Sequence, residues 1–260
     1  MRYIIIPLLS IGIVSCVPDN SSLETVHEKD QETVPYQTPE RIAERHVKAD
    51  LKIPGNEECS IKLYSDFLNE DDSVDYIITV NRYNKAMDDA VASDKLVKLA
   101  EIGYTGRHNH FYFMDGRTKK ISSVNSIASS PYAELDVSFE HITSGQQKDI
   151  IIDYHIMDSY FRNFYTIVQN VPDEILRGEL FIGLGTPKQK AYAMEFFPGE
   201  GEARDVLVYE ATVGDYQIEK PEDIYSVNPE RIKTDKVALH WKFNPSTNKF
   251  YIEQESESGL

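Results

Sequence analysis

Residues 149–168, DIIIDYHIMDSYFRNFYTIV, contain the pattern that decides the fold class. β-Branched and aromatic residues fill the runs 150–156 and 161–168, and the turn-forming residues Asp158 and Ser159 lie between them. Short runs of this composition, bounded by turn residues, are typical of β-strands. The stretch therefore predicts two neighbouring strands.

The same pattern recurs along most of the chain after residue 50. Strand-like runs occupy residues 60–65, 76–82, 110–114, 121–124, 135–139, 150–156, 161–168, 179–182, 191–197, 206–211, 237–243 and 250–253. Two hairpin signatures separate such runs, Asp115 with Gly116 and the sequence NPSTN at residues 244–248. Residues 88–102 differ, because their apolar residues recur near helical spacing and predict one helix. We expect a mainly β domain at residues 50–260, an antiparallel open or sandwich-like arrangement with one or two helices.

The first sixteen residues have the features of an export signal. Arg2 supplies a positive charge, and residues 4–14 are mainly apolar but fall short of the roughly 20 residues that a membrane-spanning helix needs. The sequence Ile13-Val14-Ser15-Cys16 resembles the lipobox of bacterial lipoproteins. This resemblance implies a signal peptide at residues 1–15, a lipid on the Cys16 thiol and a membrane-anchored location in the cell envelope, on its periplasmic or cell-surface face. An unmodified Cys16 behind an ordinary secretory signal is the alternative.

Composition bears on the segment behind the signal and on the partners. Residues 16–49 are rich in acidic, hydroxyl and amide side chains and poor in large apolar ones, which predicts a flexible polar tether. Within it, Thr38 and Pro39 favour a helical turn, because they provide an N-cap and a first helical residue. The formal net charge is −16, and acidic residues lie near every group of Lys and Arg residues in the sequence. Nucleic acid is therefore not expected as a partner, since phosphate binding requires a basic patch.

Two segments of the predicted β domain resemble each other. Residues 68–78, LNEDDSVDYII, and residues 142–152, ITSGQQKDIII, each place an aspartate, Asp75 or Asp149, directly before an apolar strand. Both segments resemble the acidic turn of FG-GAP or VCBS-type repeats, in which an Asp-x-Asp/Asn-x-Asp-Gly-x-x-Asp loop precedes a strand and often holds calcium. Two copies are too few to close a propeller, which needs at least four blades. The resemblance therefore favours descent from propeller-type repeats within an open or sandwich-like domain.

The resemblance implies calcium ligands only in part. The first loop keeps Asn69, Asp71 and Asp75 but has Phe67 at the leading position, whereas the second keeps Thr143 and Asp149. No cofactor is expected, and calcium, if it binds, should bind weakly at the first loop. The alternative is a structural one, in which Asp75 and Asp149 accept hydrogen bonds from the amides of their own turns.

Other candidate residues lie on predicted strands. His108 and His110 would share one face of an extended segment, a spacing that metal sites use, but a third ligand such as His141 or His155 would have to come from elsewhere. Without that ligand they are two surface histidines. Tyr160, Arg162 and Phe164 alternate along one strand, and they form either a ligand-binding face or part of the cross-strand aromatic core.

The sequence favours three functional hypotheses, in this order. The first is a non-catalytic binding or assembly module of the cell envelope, with a protein or a glycan as its partner. The second is a metal- or calcium-assisted hydrolase of envelope or environmental polymers. It requires a cleft that joins the first acidic loop, or the His108/His110 pair, to further carboxylates. The third is a purely structural envelope protein. The sequence contains neither a Gly-x-Ser-x-Gly motif nor a phosphate-binding loop, so no enzyme class is indicated.

Overall fold

A computed structural model describes residues 37–93, 106–199 and 201–252. Cys16, the predicted signal peptide, residues 16–36 of the predicted tether and residues 94–102 of the predicted helix lie outside the described residues. The helices are α1 (Pro39–Asp50) and α2 (Tyr83–Ala92), with a 3-10 helix at Pro221–Tyr225. The strands are β1 (Ser60–Asp66), β2 (Asp75–Asn81), β3 (Gly106–Met114), β4 (Asn125–Ser129), β5 (Asp136–Glu140), β6 (Asp149–Ile156), β7 (Ser159–Val168), β8 (Val171–Ile182), β9 (Lys190–Pro198), β10 (Arg204–Val213), β11 (Arg231–Asn244) and β12 (Lys249–Ile252).

The strands form two antiparallel sheets in which each strand pairs with its neighbours in sequence. The first sheet has the order β1-β2-β3-β4, and the second has the order β12-β11-β10-β9-β8-β7-β6-β5. A tight turn at residues 157–158 joins β6 to β7, with Ile151 opposite Phe164 in the register. The predicted mainly β, antiparallel fold with two helices is confirmed.

Four apolar clusters hold the described layers together, and two of them flank the first sheet. Ala43 and Val47 of α1 pack on one face of the first sheet against Ile78 and Tyr112. The opposite face of that sheet packs against β5, β6 and β7, through the residues Ile77, Phe111, Phe113, Ile150, Ile152 and Tyr165. Because both faces are covered, the last six residues of β3 are all buried. The first sheet is therefore the middle layer between a helix and the second sheet.

The second sheet bends sharply between its two halves. Strands β8 and β9 pair only through Phe181 with Ala191 and Ile182 with Lys190. Beyond these pairs, β9–β12 fold back over β6–β8, and the shared core contains Phe164, Val206, Val208, Leu176 and Phe250. This bend brings the hairpin that joins β11 to β12 to the same end of the domain as the earlier hairpins.

Several predicted boundaries are wrong. The folded part begins at Pro39 rather than at residue 50, because Ala43 and Val47 are fully buried in the core. Helix α2 begins at Tyr83, five residues before the predicted helix start at residue 88. The run 121–124 contributes a single bridge, from Ile121 to Met114, and the adjacent strand is β4. Neither helix in the described part of the chain is long and apolar enough to cross a membrane.

Candidate functional site

A polar cleft lies at the end of the domain where five hairpin turns meet. The turns join β1 to β2, β3 to β4, β5 to β6, β7 to β8 and β11 to β12. The cleft has a volume of about 660 Å³, and its lining residues are Asn69, Glu70, Asp71, Asp115, Arg117, Thr143, Gln147, Thr166, Ile167, Val168, Gln169, Asn170, Phe243, Pro245 and Asn248. Loops held by a rigid scaffold are where binding and catalytic residues concentrate. Both predicted repeat turns contribute to this cleft.

The first of these turns is held by the buried carboxylate of Asp75. Its Oδ2 accepts a hydrogen bond from the Leu68 amide at 3.3 Å, and its Oδ1 accepts one from the Gly116 amide at 2.8 Å. Asp75 is 0% exposed, and burial raises the pKa of its carboxyl against the opposing effect of those two amide donors. Asp75 thus ties the turn between β1 and β2 to the turn between β3 and β4.

The second turn is built in the same way around Asp149. Its Oδ2 accepts hydrogen bonds from the amides of Ile142 at 3.1 Å and Thr143 at 2.6 Å, and the Thr143 hydroxyl donates to its Oδ1 at 2.9 Å. Burial raises the pKa of Asp149, as it does for Asp75. In both turns the aspartate accepts a hydrogen bond from the amide seven residues before it, as the structural alternative predicts. That Asp75 and Asp149 contribute equally to stability stays a prediction.

The two turns also contact each other directly. The amide of Lys148 donates to the carbonyl oxygen of Phe67 at 3.0 Å, and the Lys148 ammonium donates to Asp66 at 2.9 Å. Across the cleft, Gln147 Nε2 donates to the Thr166 hydroxyl at 3.3 Å. The walls of the cleft are therefore fixed by hydrogen bonds between loops that are distant in sequence.

The predicted calcium ligands are engaged with protein donors. Asn69 Oδ1 accepts from the Asp71 amide and Asp71 Oδ1 from the Ser73 amide, both at 2.8 Å. Arg117 Nη2 lies 3.3 Å from Asp71 Oδ2. Both Asp75 oxygens also accept hydrogen bonds from amides, so each of these side chains already has a hydrogen-bond or ion-pair partner within the protein. Among the described residues, no three His, Cys, Asp or Glu side chains are grouped so as to hold a metal ion.

Uncharged polar groups dominate the lining. Five carboxamide side chains and two threonine hydroxyls face the cleft: Asn69, Gln147, Gln169, Asn170, Asn248, Thr143 and Thr166. Among the acids, Asp71 is paired with Arg117. Burial raises the pKa of Asp115, but hydrogen bonds from Thr118 and Arg117 together outweigh burial and leave it below its ordinary value. The arrangement suits hydrogen bonding to a neutral polar ligand.

The histidine pair does not form a metal site in the described part of the chain. His110 Nδ1 lies 2.9 Å from the Ser126 hydroxyl, and burial lowers the pKa of His110 to about 4. The suggested third ligands lie on other elements. His141 Nδ1 lies 3.0 Å from the Gln147 carbonyl oxygen, and His155 packs against the ring of Tyr160. The prediction of two surface histidines is wrong for His110, which is 5% exposed.

The aromatic candidates on β7 belong to the core. Tyr160 is 3% exposed and packs with Phe181, and Phe164 is fully buried. Arg162 makes two hydrogen bonds of 2.7 Å to Asp153 on the neighbouring strand. Tyr160 and Phe164 therefore cannot stack on a ligand in this fold, and Arg162 has a carboxylate partner. The cross-strand alternative explains this segment.

Sequence reasoning found part of the cleft and missed the rest. It identified Asn69, Asp71 and Thr143 from the repeat pattern, and Asp115 and the turn at residues 244–248 as hairpin signatures, but not Arg117, Gln147 or Asn170. Their one sequence signal is position, since each lies in or beside a hairpin turn. Comparisons with protein-family models, curated proteins and solved structures found no match.

Proposed function

We propose that this chain is a cell-envelope lipoprotein whose β domain is a non-catalytic binding module, with the polar cleft as its binding site. The observation that carries this proposal is the lining of the cleft, where carboxamides and hydroxyls from four of the five hairpins surround about 660 Å³. A volume of this size lies within the range of small-ligand sites, roughly 300–1,000 Å³. Carboxamides both donate and accept hydrogen bonds, as do the hydroxyl groups of a saccharide.

A neutral, polyhydroxylated ligand is the class that fits the charges of the cleft. Glu70, Asp71 and Asp115 outnumber the single Arg117, so an anionic ligand would be repelled. A glycan segment of the cell envelope satisfies both conditions, and a lipid on Cys16 would hold the module near such polymers. Phe243 and Pro245 provide an apolar edge on which a sugar ring can pack.

Binding can be tested on an array of bacterial surface polysaccharides, followed by titration calorimetry of each glycan that binds. Gln147 and Gln146 form a matched pair, because Gln147 lines the cleft while its neighbour Gln146 is exposed outside it. We expect Gln147→Ala to weaken binding about tenfold, the effect of losing one or two hydrogen bonds to the ligand. Gln146→Ala should leave affinity unchanged. Equal losses in both variants, or no glycan bound at all, would contradict the proposal.

One observation favours the hydrolase hypothesis as a second candidate. The cleft joins the first acidic loop to a further carboxylate, since Glu70, Asp71 and Asp115 all line it. Each glycan that binds is therefore incubated with the protein, and its reducing ends are counted. If the wild type cleaves the glycan and Asp115→Asn binds it without cleaving it, the protein is a hydrolase and not a non-catalytic binding module.

A further inference from the structure

The seam between β8 and β9 opens into a second cavity, away from the polar cleft. β8 has 12 residues and β9 has nine, yet their hydrogen-bonded register consists of two residue pairs. Beyond Phe181 and Ala191 the two strands separate. The separation leaves a groove of about 310 Å³ between β8 and the inner face of β9–β11.

The walls of this groove are apolar. They are formed by Phe161, Tyr192, Met194, Val208, Leu239 and Trp241. The only charged lining residues are Arg177 and Glu179, both exposed at the rim. An apolar cavity with a few polar groups at its mouth is the usual form of a site for a small organic ligand.

The size and direction of the groove indicate the shape of its ligand. A water molecule takes up about 30 Å³ of liquid, so the groove has room for about ten non-hydrogen atoms. Its walls run along the strands, because β9 contributes Tyr192 and Met194 and β11 contributes Leu239 and Trp241, each pair two positions apart. Residues two apart on a strand point to the same face and lie about 7 Å from each other. This form suits a linear chain.

One wall of the groove can adapt to its occupant. A Cβ atom on Gly178 would lie 2.1 Å from Met194 Cε, so the missing side chain of Gly178 is what lets Met194 lie over β8. Methionine is unbranched and flexible, and it packs against ligands of varied outline. The groove therefore needs no rearrangement of the backbone to admit a chain.

The charges at the rim restrict the head group of the ligand. Arg177 Nη2 lies 3.0 Å from Glu174 Oε2, and this carboxylate also accepts a hydrogen bond from Asn163 Nδ2 at 2.8 Å. Asn163 is 2% exposed, so the pair is held from within the sheet. With Glu179 also at the rim, two carboxylates face one guanidinium on a chain of net charge −16. An anionic head group is therefore disfavoured.

We propose that this groove binds the alkyl chain of an uncharged amphiphile, with about ten carbon atoms inserted between β8 and β9. The chain contacts Trp241, Tyr192 and Leu239, and the head group stays in water beside Arg177 and Glu179. Burial of the chain drives the binding. This site is independent of the polar cleft and of the glycan that we propose for it.

Trp241 is the single tryptophan of the chain and lies in the groove wall, so its fluorescence reports on this site. The probe is decyl maltoside, added below its micelle-forming concentration to the purified full chain carrying Cys16→Ser, which prevents lipidation. We expect a saturable blue shift of the Trp241 emission. Maltose, which has the same head group without the chain, should cause no shift. Phe243 of the polar cleft lies two residues from Trp241 on β11, so any shift that maltose alone causes is subtracted from the shift with decyl maltoside. The remaining shift reports on the alkyl chain, and the two proposals fail separately.

Two variants on β11 provide the matched control. Leu239 and Val237 are both exposed apolar residues, 38% and 48%, but only Leu239 lines the groove. Leu239→Ser should lower the affinity for decyl maltoside about tenfold, whereas Val237→Ser should leave that affinity unchanged. The proposal is overturned by any of three results: no saturable shift, equal affinity in the two variants, or tighter binding of decyl sulfate or benzyl alcohol than of decyl maltoside.

Discussion

Replacement of Asp75 or Asp149 by alanine should destabilise the domain, because each carboxylate holds a turn through backbone amides. Asp75→Ala leaves the amides of Leu68 and Gly116 without their acceptor. Asp149→Ala does the same to the amides of Ile142 and Thr143. Both aspartates are fully buried, so water cannot readily replace the lost oxygen atoms.

The magnitude follows from the number of unpaired donors. A buried donor without a partner costs about 1–3 kcal/mol, so the two backbone amides that each aspartate binds cost about 2–6 kcal/mol. The Thr143 hydroxyl adds less, because it can rotate to another acceptor. Burial raises the pKa of both carboxyls, which shows that the ionised groups are themselves poorly solvated. Their removal recovers part of that desolvation cost. We therefore expect a loss of about 2–4 kcal/mol for each variant, a large share of the roughly 5–15 kcal/mol that stabilises a typical domain.

Urea unfolding of the full chain carrying Cys16→Ser, followed by circular dichroism, measures this loss as a lower midpoint at constant slope. Asp72 is the matched control, since it lies in the same turn as Asp75 but is exposed. Asp72→Ala should change the free energy of unfolding by less than about 0.5 kcal/mol. If Asp72→Ala is the costly substitution while Asp75→Ala and Asp149→Ala are neutral, the equivalence of the two turns is refuted.

The lipoprotein proposal predicts that the protein made in a bacterium with its own signal partitions into detergent, and that Cys16→Ala leaves it uncleaved or water-soluble; a wild-type chain that starts elsewhere than residue 16 contradicts this. Calcium at about 1 mM should barely move the thermal midpoint relative to chelator, because the oxygens of Asn69, Asp71 and Asp75 already have donors; a rise of many degrees would refute it. Between pH 7 and pH 4, the free energy of unfolding of His155→Phe should rise by about 3 kcal/mol relative to that of the wild type. Burial lowers the folded pKa of His155 to about 4, whereas the unfolded chain takes up the proton near pH 6.5, so wild-type stability falls as the pH drops through this window. A pH-independent difference in urea unfolding would exclude this.

The sequence predicts the antiparallel sheets because their strands carry local signals. The hairpin from β6 to β7 is readable from its alternating bulky residues and its turn, and the turn at residues 244–248 does join β11 to β12. Asp75 and Asp149 are recognisable because each immediately precedes an apolar strand at the same place in a repeated segment. These features depend on neighbours in sequence, so a single sequence contains them.

Elements with few apolar residues are hidden from such reasoning. The sequence predicts the start of helix α1 at Thr38 and Pro39 but not its place in the core, because α1 buries only Ala43 and Val47 completely and the acidic residues around them give the segment the composition of a tether. Strand β8 begins at Val171, eight residues before the predicted run, because Pro172, Asp173 and Glu174 are poor strand residues. The Glu174 carboxylate is satisfied by Arg177 of the same strand and by Asn163 of β7, and the contact with Asn163 joins two strands.

The cleft shows why the candidate site was only partly predictable. Five hairpins supply its walls, and the bend between β8 and β9 decides whether the turn at residues 244–248 reaches the others. That bend has no signature in the sequence, whereas the turns that it brings together do. Candidate residues could therefore be located to their turns but not to a common cavity.

The buried aspartates connect the stability of the fold to the shape of the cleft. Thr143 donates its hydroxyl and its amide to Asp149 and also lines the cleft, so the atoms that fix the turn place a wall of the site. Gly116, bound to Asp75, likewise precedes Arg117, which pairs with Asp71 in the lining. The side chains of a site formed by loops keep their positions only when buried contacts hold the loops in one conformation. The two carboxylates meet this requirement through the hydrogen bonds that they accept from the amides of Leu68, Gly116, Ile142 and Thr143.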